Sequence, residues 1–200
     1  MDRWHRWTGL LTARSLELAA CAACILGLPV AAQAQTVTPV AGKPNLLIGA
    51  YDIDSLGYSA EEFFVAGEAS SYSSAAPLKS DGQWTVAPAA KAAYTTRTGI
   101  LTPKDPAKFN GTVLIEWLNV SGGLDAPADW LMAHREIVRE GYAYVGVSVQ
   151  KVGVEGGQSL GMDMSLKKVD PVRYARLSHP GDAFAYDIFS QAGRIVRART

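Results

Sequence analysis

Two apolar runs that flank an amphipathic pattern constrain the fold of this chain most. Residues 112–119 (TVLIEWLN) and 142–149 (YAYVGVSV) are almost continuously apolar, which is typical of strands covered on both faces. Between them, Trp130 and His134 fall at helical spacing, and Gly141 ends the pattern as a residue that tolerates a positive φ. Strand, helix and strand in so short a span predict a βαβ unit with parallel strands.

The segments around this unit have a different character. Residues 62–73 and 93–102 are rich in β-branched and aromatic residues, which predicts antiparallel strands, the first with a bulge at its glycine. Residues 35–43 are interpreted as a linker, and residues 150–176, with four glycines, as a long irregular stretch. Residues 182–197 keep 3.6-residue apolar spacing and predict a last helix. The predicted class is α/β: antiparallel strands, the βαβ unit and a further helix.

The N-terminus has the layout of a secretory signal. A mildly basic start precedes an apolar run at residues 18–30 and the A-Q-A sequence that ends at Ala34. The run is shorter than the roughly 20 residues that a membrane span needs. We therefore predict cleavage of residues 1–34 near Ala34 and export to the periplasm or the medium; the alternative is an uncleaved anchor. Cys21 and Cys24 would leave with the signal, and lipidation is not predicted because Cys21 opens the apolar run.

Charge and spacing exclude several classes of partner. The residues after Ala34 carry 16 basic and 17 acidic side chains, so no nucleic-acid partner is predicted, and no membrane contact once the signal is removed. The loop after the first apolar run lacks the G-x-G-x-x-G fingerprint of dinucleotide sites, and no metal-binding spacing occurs. We therefore expect no cofactor and no metal.

The glycine loop at residues 119–123 (NVSGG) is the main candidate site. In open α/β sheets, ligands bind beyond the carboxyl ends of the strands, where this loop and residues 150–153 are expected to lie. A glycine loop between a strand and a helix can direct backbone N–H groups at an anion or a developing oxyanion. The structural alternative is that Gly122 and Gly123 only turn the chain.

A literal G-x-S-x-G occurs at residues 157–161 (GQSLG). The nucleophile elbow of a serine hydrolase follows a strand directly, whereas the strand here is expected to end near Val149, about ten residues earlier. Ser159 is therefore kept only as a minor candidate nucleophile.

Four other polar residues have structural interpretations. We expect Asp182 to stabilise the start of the last helix rather than to pair with His179 in a catalytic triad. His134 lies on the apolar side of its helix and is interpreted as packing. The neighbouring pair Glu61 and Glu62 is interpreted as solvated at a strand edge.

Three long segments resemble a family of exported bacterial proteins, the α/β-hydrolase domain-containing proteins. They are residues 111–123 (GTVLIEWLNVSGG), 147–153 (VSVQKVG) and 178–190 (SHPGDAFAYDIFS). The resemblance implies an α/β-hydrolase sheet in which residues 112–119 form the third strand and 142–149 the fourth. It also implies that the helix at residues 182–197 precedes the nucleophile strand.

The resemblance further implies a serine hydrolase that acts on a small ester. The loop after the third strand gives one oxyanion N–H in such enzymes, which corresponds here to Val120, Ser121 or Gly122. The nucleophile, acid and histidine are expected in later segments, so residues 44–200 are interpreted as the N-terminal part of the domain, inactive alone. The alternative function is a non-catalytic exported binding module or pseudo-enzyme. An open sheet edge would also favour self-association.

Overall fold

A mixed sheet of five strands organises the part of the chain that the structure, a computed structural model, describes: residues 35–157 and 163–199. The strands are β1 (Thr36–Val40), β2 (Tyr58–Ser73), β3 (Ala87–Pro103), β4 (Val113–Trp117) and β5 (Ala143–Val147). The helices are α1 (Ala128–Glu140), α2 (Lys151–Glu155), α3 (Leu166–Val169) and α4 (Ala185–Arg199). Short 3-10 turns lie at Pro106–Lys108 and Asp182–Phe184.

The strand order is β1-β2-β3-β5-β4. β1, β2, β3 and β5 pair antiparallel in that order, and only the β4–β5 pair is parallel among the described strands. The predicted antiparallel strands and the βαβ unit β4-α1-β5 are thereby confirmed. β4 has no strand on its outer side among residues 35–157 and 163–199. Self-association through this edge stays a prediction.

The β2–β3 hairpin is longer than the rest of the sheet. The last residue of β5, Val147, pairs with Thr98 of β3, and Thr98 pairs in turn with Phe63 of β2. Residues 64–73 and 87–97 therefore continue past the carboxyl end of β5 as a ribbon, with β1 still paired to residues 64–66, and its tip is the loop at residues 74–86. This ribbon overhangs the edge of the sheet at which the candidate loop was expected.

The bulge in β2 is not where the sequence predicted it. Gly67 pairs in register with Tyr94, and the shift in register falls between Ser70 and Tyr72. The Ser70 N–H donates to Asp187 Oδ2 of α4 at 2.8 Å. At this position the strand therefore bonds to a helix. The prediction was wrong because the cause of the bulge lies outside the strand.

Helices cover both faces of the sheet. On one face α1 buries Trp130 and Ile137 against an apolar cluster with Leu101, Leu118 and Tyr144. On the other face α4 buries a stripe at 3.6-residue spacing (Ala185, Ile188, Ala192 and Val196) against β2, β3 and β5. Burial of such side chains stabilises a fold by roughly 1.5–3 kcal/mol each. The predicted apolar faces of both helices are confirmed.

The ends of α1 are fixed by residues outside the helix. Pro127 stands at the N-cap without a side-chain cap, and Glu116 of β4 accepts hydrogen bonds from the N–H groups of Asp129 (2.9 Å) and Trp130 (3.3 Å). Gly141 ends the helix at φ 71°, and a Cβ there would lie 1.9 Å from the carbonyl oxygen of Lys108. Glycine is therefore required at position 141 by both conformation and space.

Two regions depart from the sequence prediction. Residues 36–40, interpreted as part of a linker, form β1 and pair with β2. The stretch at 150–176, interpreted as irregular, contains α2 and α3. Residues 1–34, the predicted signal, lie outside the described residues. Within the described ranges no helix combines the length and apolarity that a membrane crossing requires.

Candidate active site

The two candidate loops lie side by side at the carboxyl edge of the sheet. Because β4 and β5 are parallel, residues 119–123 and 150–153 emerge at the same edge. Trp117 Nε1, at the end of β4, donates to Gln150 Oε1 at 2.9 Å. A Cβ on Gly153 would lie 3.0 Å from Val120 Cγ1, so the start of α2 packs against the first loop. The predicted position of both loops is confirmed.

The amides of the 119–123 loop divide into engaged and free groups. The Ser121 N–H donates to Asn119 Oδ1 (3.0 Å) and the Gly123 N–H to the Val120 carbonyl (2.9 Å). The N–H groups of Val120 and Gly122 make no hydrogen bond to any residue that the structure describes. Of the three predicted oxyanion donors, Val120 and Gly122 thus have N–H groups without a partner among the described residues, whereas the Ser121 N–H is held in a local turn.

A buried ion pair fixes the segment that follows the loop. Asp125 and Arg97 of β3 are both buried, and Arg97 Nη2 lies 2.9 Å from Asp125 Oδ2. The Ser148 hydroxyl, just after β5, donates to the same carboxylate oxygen. Burial raises the pKa of Asp125, while the Arg97 charge and the Ser148 hydroxyl act in the opposite direction. The pair ties the end of the loop to the two central strands.

Glu62 extends this network, contrary to its interpretation as solvated. Glu61 is exposed, but Glu62 is 1% exposed and accepts hydrogen bonds from Tyr174 Oη (2.9 Å) and Arg173 Nε (2.8 Å). Its Oε1 also lies 3.8 Å from Arg97 Nε. Neighbouring residues of a strand point to opposite faces, so the pair could not both be solvated on a covered sheet. That alternation was the available signal.

Three polar atoms of the network have no hydrogen-bond partner among the described residues. They are Arg97 Nε, Arg97 Nη1 and Asp125 Oδ1, all fully buried. Asp125 Oδ1 faces α2, where a Cβ on Gly153 would approach it to 2.0 Å. Position 153 must therefore be glycine for the carboxylate and α2 to lie this close.

The two described histidines are engaged in structural contacts. His134 stacks on Tyr51, with ring centroids 3.9 Å apart, which confirms its interpretation as packing. His179 Nε2 lies 2.8 Å from the Val149 carbonyl oxygen, and its Nδ1 accepts from the Gly181 N–H at 3.2 Å. This pattern requires the neutral tautomer with the proton on Nε2, and burial accordingly lowers the pKa of His179. Within residues 35–157 and 163–199 neither ring bonds a serine hydroxyl.

Asp182 does not pair with His179 either. It opens the 3-10 turn that leads into α4, as predicted, but its Oδ1 accepts the Lys151 N–H at 2.7 Å and so caps α2. Ser159, the minor candidate nucleophile, lies outside the described residues. No group of three metal-ligating side chains occurs among the residues described.

The comparison with known families decides the identity of the domain. A family model described as alpha/beta hydrolase domain matches residues 26–200. The chain belongs to the α/β-hydrolase domain family. The mixed sheet with helices is consistent with part of an α/β-hydrolase fold. No curated protein and no solved structure matches this α/β-hydrolase chain significantly.

Proposed function

We propose that the protein contributes the oxyanion-stabilising loop of a serine hydrolase that cleaves esters. The observation that supports this most directly is the pair of free amides, Val120 and Gly122, at the carboxyl edge of the sheet. In acyl transfer, a serine attacks the ester carbonyl and negative charge develops on its oxygen. Amides fixed in advance stabilise that charge, and removing one such donor costs about 3 kcal/mol of transition-state stabilisation.

The support beneath the loop agrees with this role. An oxyanion donor is effective only if its position does not change when the charge develops. The Arg97–Asp125 pair anchors the loop to β3, and the paired backbone bonds between Asn119 and Ala126 (2.9 and 2.8 Å) close its base. The free amides are therefore held by both charge and backbone.

Paired substitutions at the two candidate donors test the role. Gly122→Pro removes an N–H that Gly122→Ala keeps, and Val120→Pro and Val120→Ala form the second pair. The assay requires a protein that carries the nucleophile, acid and histidine as well. In that protein we expect one proline variant to lose about 100- to 1,000-fold in the hydrolysis of 4-nitrophenyl butyrate, with its alanine partner near the wild-type rate. Melting curves identify a variant that loses activity by unfolding.

Two results would contradict this proposal. Wild-type rates in both proline variants would remove the oxyanion role from the loop. A wild-type protein that carries the nucleophile, acid and histidine but turns over no short ester would favour the second candidate, a binding module or pseudo-enzyme. Labelling with a fluorophosphonate, followed by peptide mapping, locates the nucleophile; we expect Ser159→Ala to leave the labelling pattern unchanged.

We also propose that residues 1–34 direct export. A fusion of residues 1–40 to alkaline phosphatase, which is active only outside the cytoplasm, should be active in a bacterial host. Leu26→Arg interrupts the apolar run and should abolish that activity. Equal activity of both fusions would refute the signal.

A further inference from the structure

An open apolar pocket lies between the tip of the β2–β3 hairpin and the start of α4. Its volume is about 650 Å³. This value falls within the roughly 300–1,000 Å³ of small-molecule sites. We propose that this pocket binds the neutral aryl or alkyl group of the substrate ester, a substrate class that rests on the proposed function.

The lining of the pocket determines the chemistry of its occupant. Five large apolar or aromatic side chains line it and are each more than a third exposed: Tyr72, Leu78, Trp84, Val86 and Tyr186. Among the described residues no lysine or arginine lines it. Its one carboxylate, Asp182, accepts the Lys151 N–H. Such a lining favours a neutral apolar group over an anion or a cation.

The walls of the pocket are bonded to each other. Gln191 of α4 donates from Nε2 to the Glu68 carbonyl oxygen (2.8 Å), and its Oε1 accepts from Tyr94 Oη (2.8 Å). Ser70 of β2 donates to Asp187 of α4. The indole of Trp84 is oriented by its own bond to the Lys79 carbonyl oxygen (2.6 Å). These bonds fix the base of the hairpin to α4, and the tip that lines the pocket extends beyond them.

The pocket adjoins residues that contact the candidate active site. The Tyr186 ring, on its wall, lies 5.4 Å from the ring of Trp117, centroid to centroid. Trp117 in turn donates to Gln150 in the second candidate loop. Asp182 lines the pocket and also caps α2. A substrate whose carbonyl lies at the loops can thus place its apolar end under the hairpin.

Binding of an uncleavable analogue tests the pocket without requiring catalysis. The probe is 4-nitrophenyl hexyl ether, titrated into the full chain by calorimetry. We expect saturable 1:1 binding that weakens about tenfold or more in Trp84→Ala and in Leu78→Glu. Val172→Glu and Met132→Glu, at apolar side chains 87% and 88% exposed elsewhere, are matched controls that should keep wild-type affinity.

The outcomes distinguish the failure of the pocket from the failure of the proposed function. Absence of saturable binding, or equal affinity in all variants, would overturn the pocket, as would loss of binding in Met132→Glu alone. Self-association of the wild type that Leu78→Glu abolishes would make the surface a protein contact and also overturn it. Ether binding without ester turnover would support the pocket and refute the proposed function. If Trp84→Ala and Leu78→Glu left ester turnover unchanged, the proposed function would be supported and the pocket refuted.

Discussion

The loop after β4 and the tip of the β2–β3 hairpin are stabilised by different kinds of contact. The loop after β4 ends at Asp125, which is buried against Arg97 and Ser148 from two strands. The hairpin tip at residues 74–86 exposes apolar side chains, and its side-chain hydrogen bonds to described residues are local, such as Trp84 to Lys79. Buried charge fixes the first loop, whereas exposed apolar surface leaves the second adaptable.

This difference matches what each loop is proposed to do. Stabilising an oxyanion demands donors held to within a fraction of an ångström, which a buried and directional ion pair can provide. Binding an apolar group demands area rather than direction, because the hydrophobic effect is non-directional. Substitutions that disturb the rigid loop (residues 119–125) should therefore reduce stability more than substitutions in the adaptable loop (residues 74–86).

Arg97→Met should have the largest effect on stability. It leaves Asp125 buried without its counter-charge, and breaking a buried pair in this way costs about 3–5 kcal/mol. Urea denaturation measures the loss. The matched control is Lys104→Met, which breaks a surface pair of similar length (2.7 Å) to exposed Asp54 and should leave the midpoint nearly unchanged. Equal midpoints in both variants would show that the buried pair does not fix the loop.

Gly153→Ala should be the next most damaging change. The added Cβ would lie 2.0 Å from Asp125 Oδ1, so α2 or the loop must move, at a cost of about 1–3 kcal/mol. Gly193→Ala is the control, because this position in α4 has open space and a helical alanine should stabilise by up to about 1 kcal/mol. A neutral Gly153→Ala would mean that the contact between α2 and the loop is loose.

The sequence predicted the strands and helices around the rigid loop, because these depend on local pattern. Continuous apolar runs predicted β4 and β5, helical spacing predicted α1 and α4, and the position of the loop followed from parallel pairing. The ion network beneath it was not predictable in the same way. Glu62 is neutralised by Arg173, and Asp125 by Arg97; these partners come together only when the sheet forms.

The adaptable loop was missed for a related reason. Its apolar residues have no periodicity, since residues 74–86 form neither helix nor strand. The pocket depends on the overhang of the hairpin and on Gln191, whose contacts with β2 span more than a hundred residues of sequence. β1 at residues 36–40 (TVTPV) was missed because Pro39 favoured a linker, although its other four residues are β-branched and it pairs with β2.

The buried histidine at this edge predicts a pH effect of intermediate size. Burial lowers the pKa of His179, so the folded state holds it neutral while the unfolded chain protonates it near pH 6.5. The unfolded state then binds more protons below that pH, and stability should fall as the pH drops below about 6.5, by at most about 1.4 kcal/mol per pH unit. Above that pH the contribution is complete and constant.

Urea midpoints between pH 7.5 and 5.5, compared for the wild type and His179→Gln, isolate this contribution. Carboxylates that do not interact with His179 contribute equally to both proteins and cancel in the difference. The wild type should lose more stability than His179→Gln on acidification. Parallel pH curves would show that His179 is protonated in the folded state despite its bond to Val149.

Leu78→Ser, at the hairpin tip, should have the smallest effect on folding. The side chain is 58% exposed, and substitutions at exposed positions usually change stability by less than about 0.5 kcal/mol. The same variant should nevertheless weaken binding of the hexyl ether, because Leu78 lines the pocket. A change that leaves folding intact but impairs binding would separate the two loops by function. If Leu78→Ser instead lowered the urea midpoint as far as Gly153→Ala, the tip would be part of the core, and the contrast between a rigid and an adaptable loop would fail.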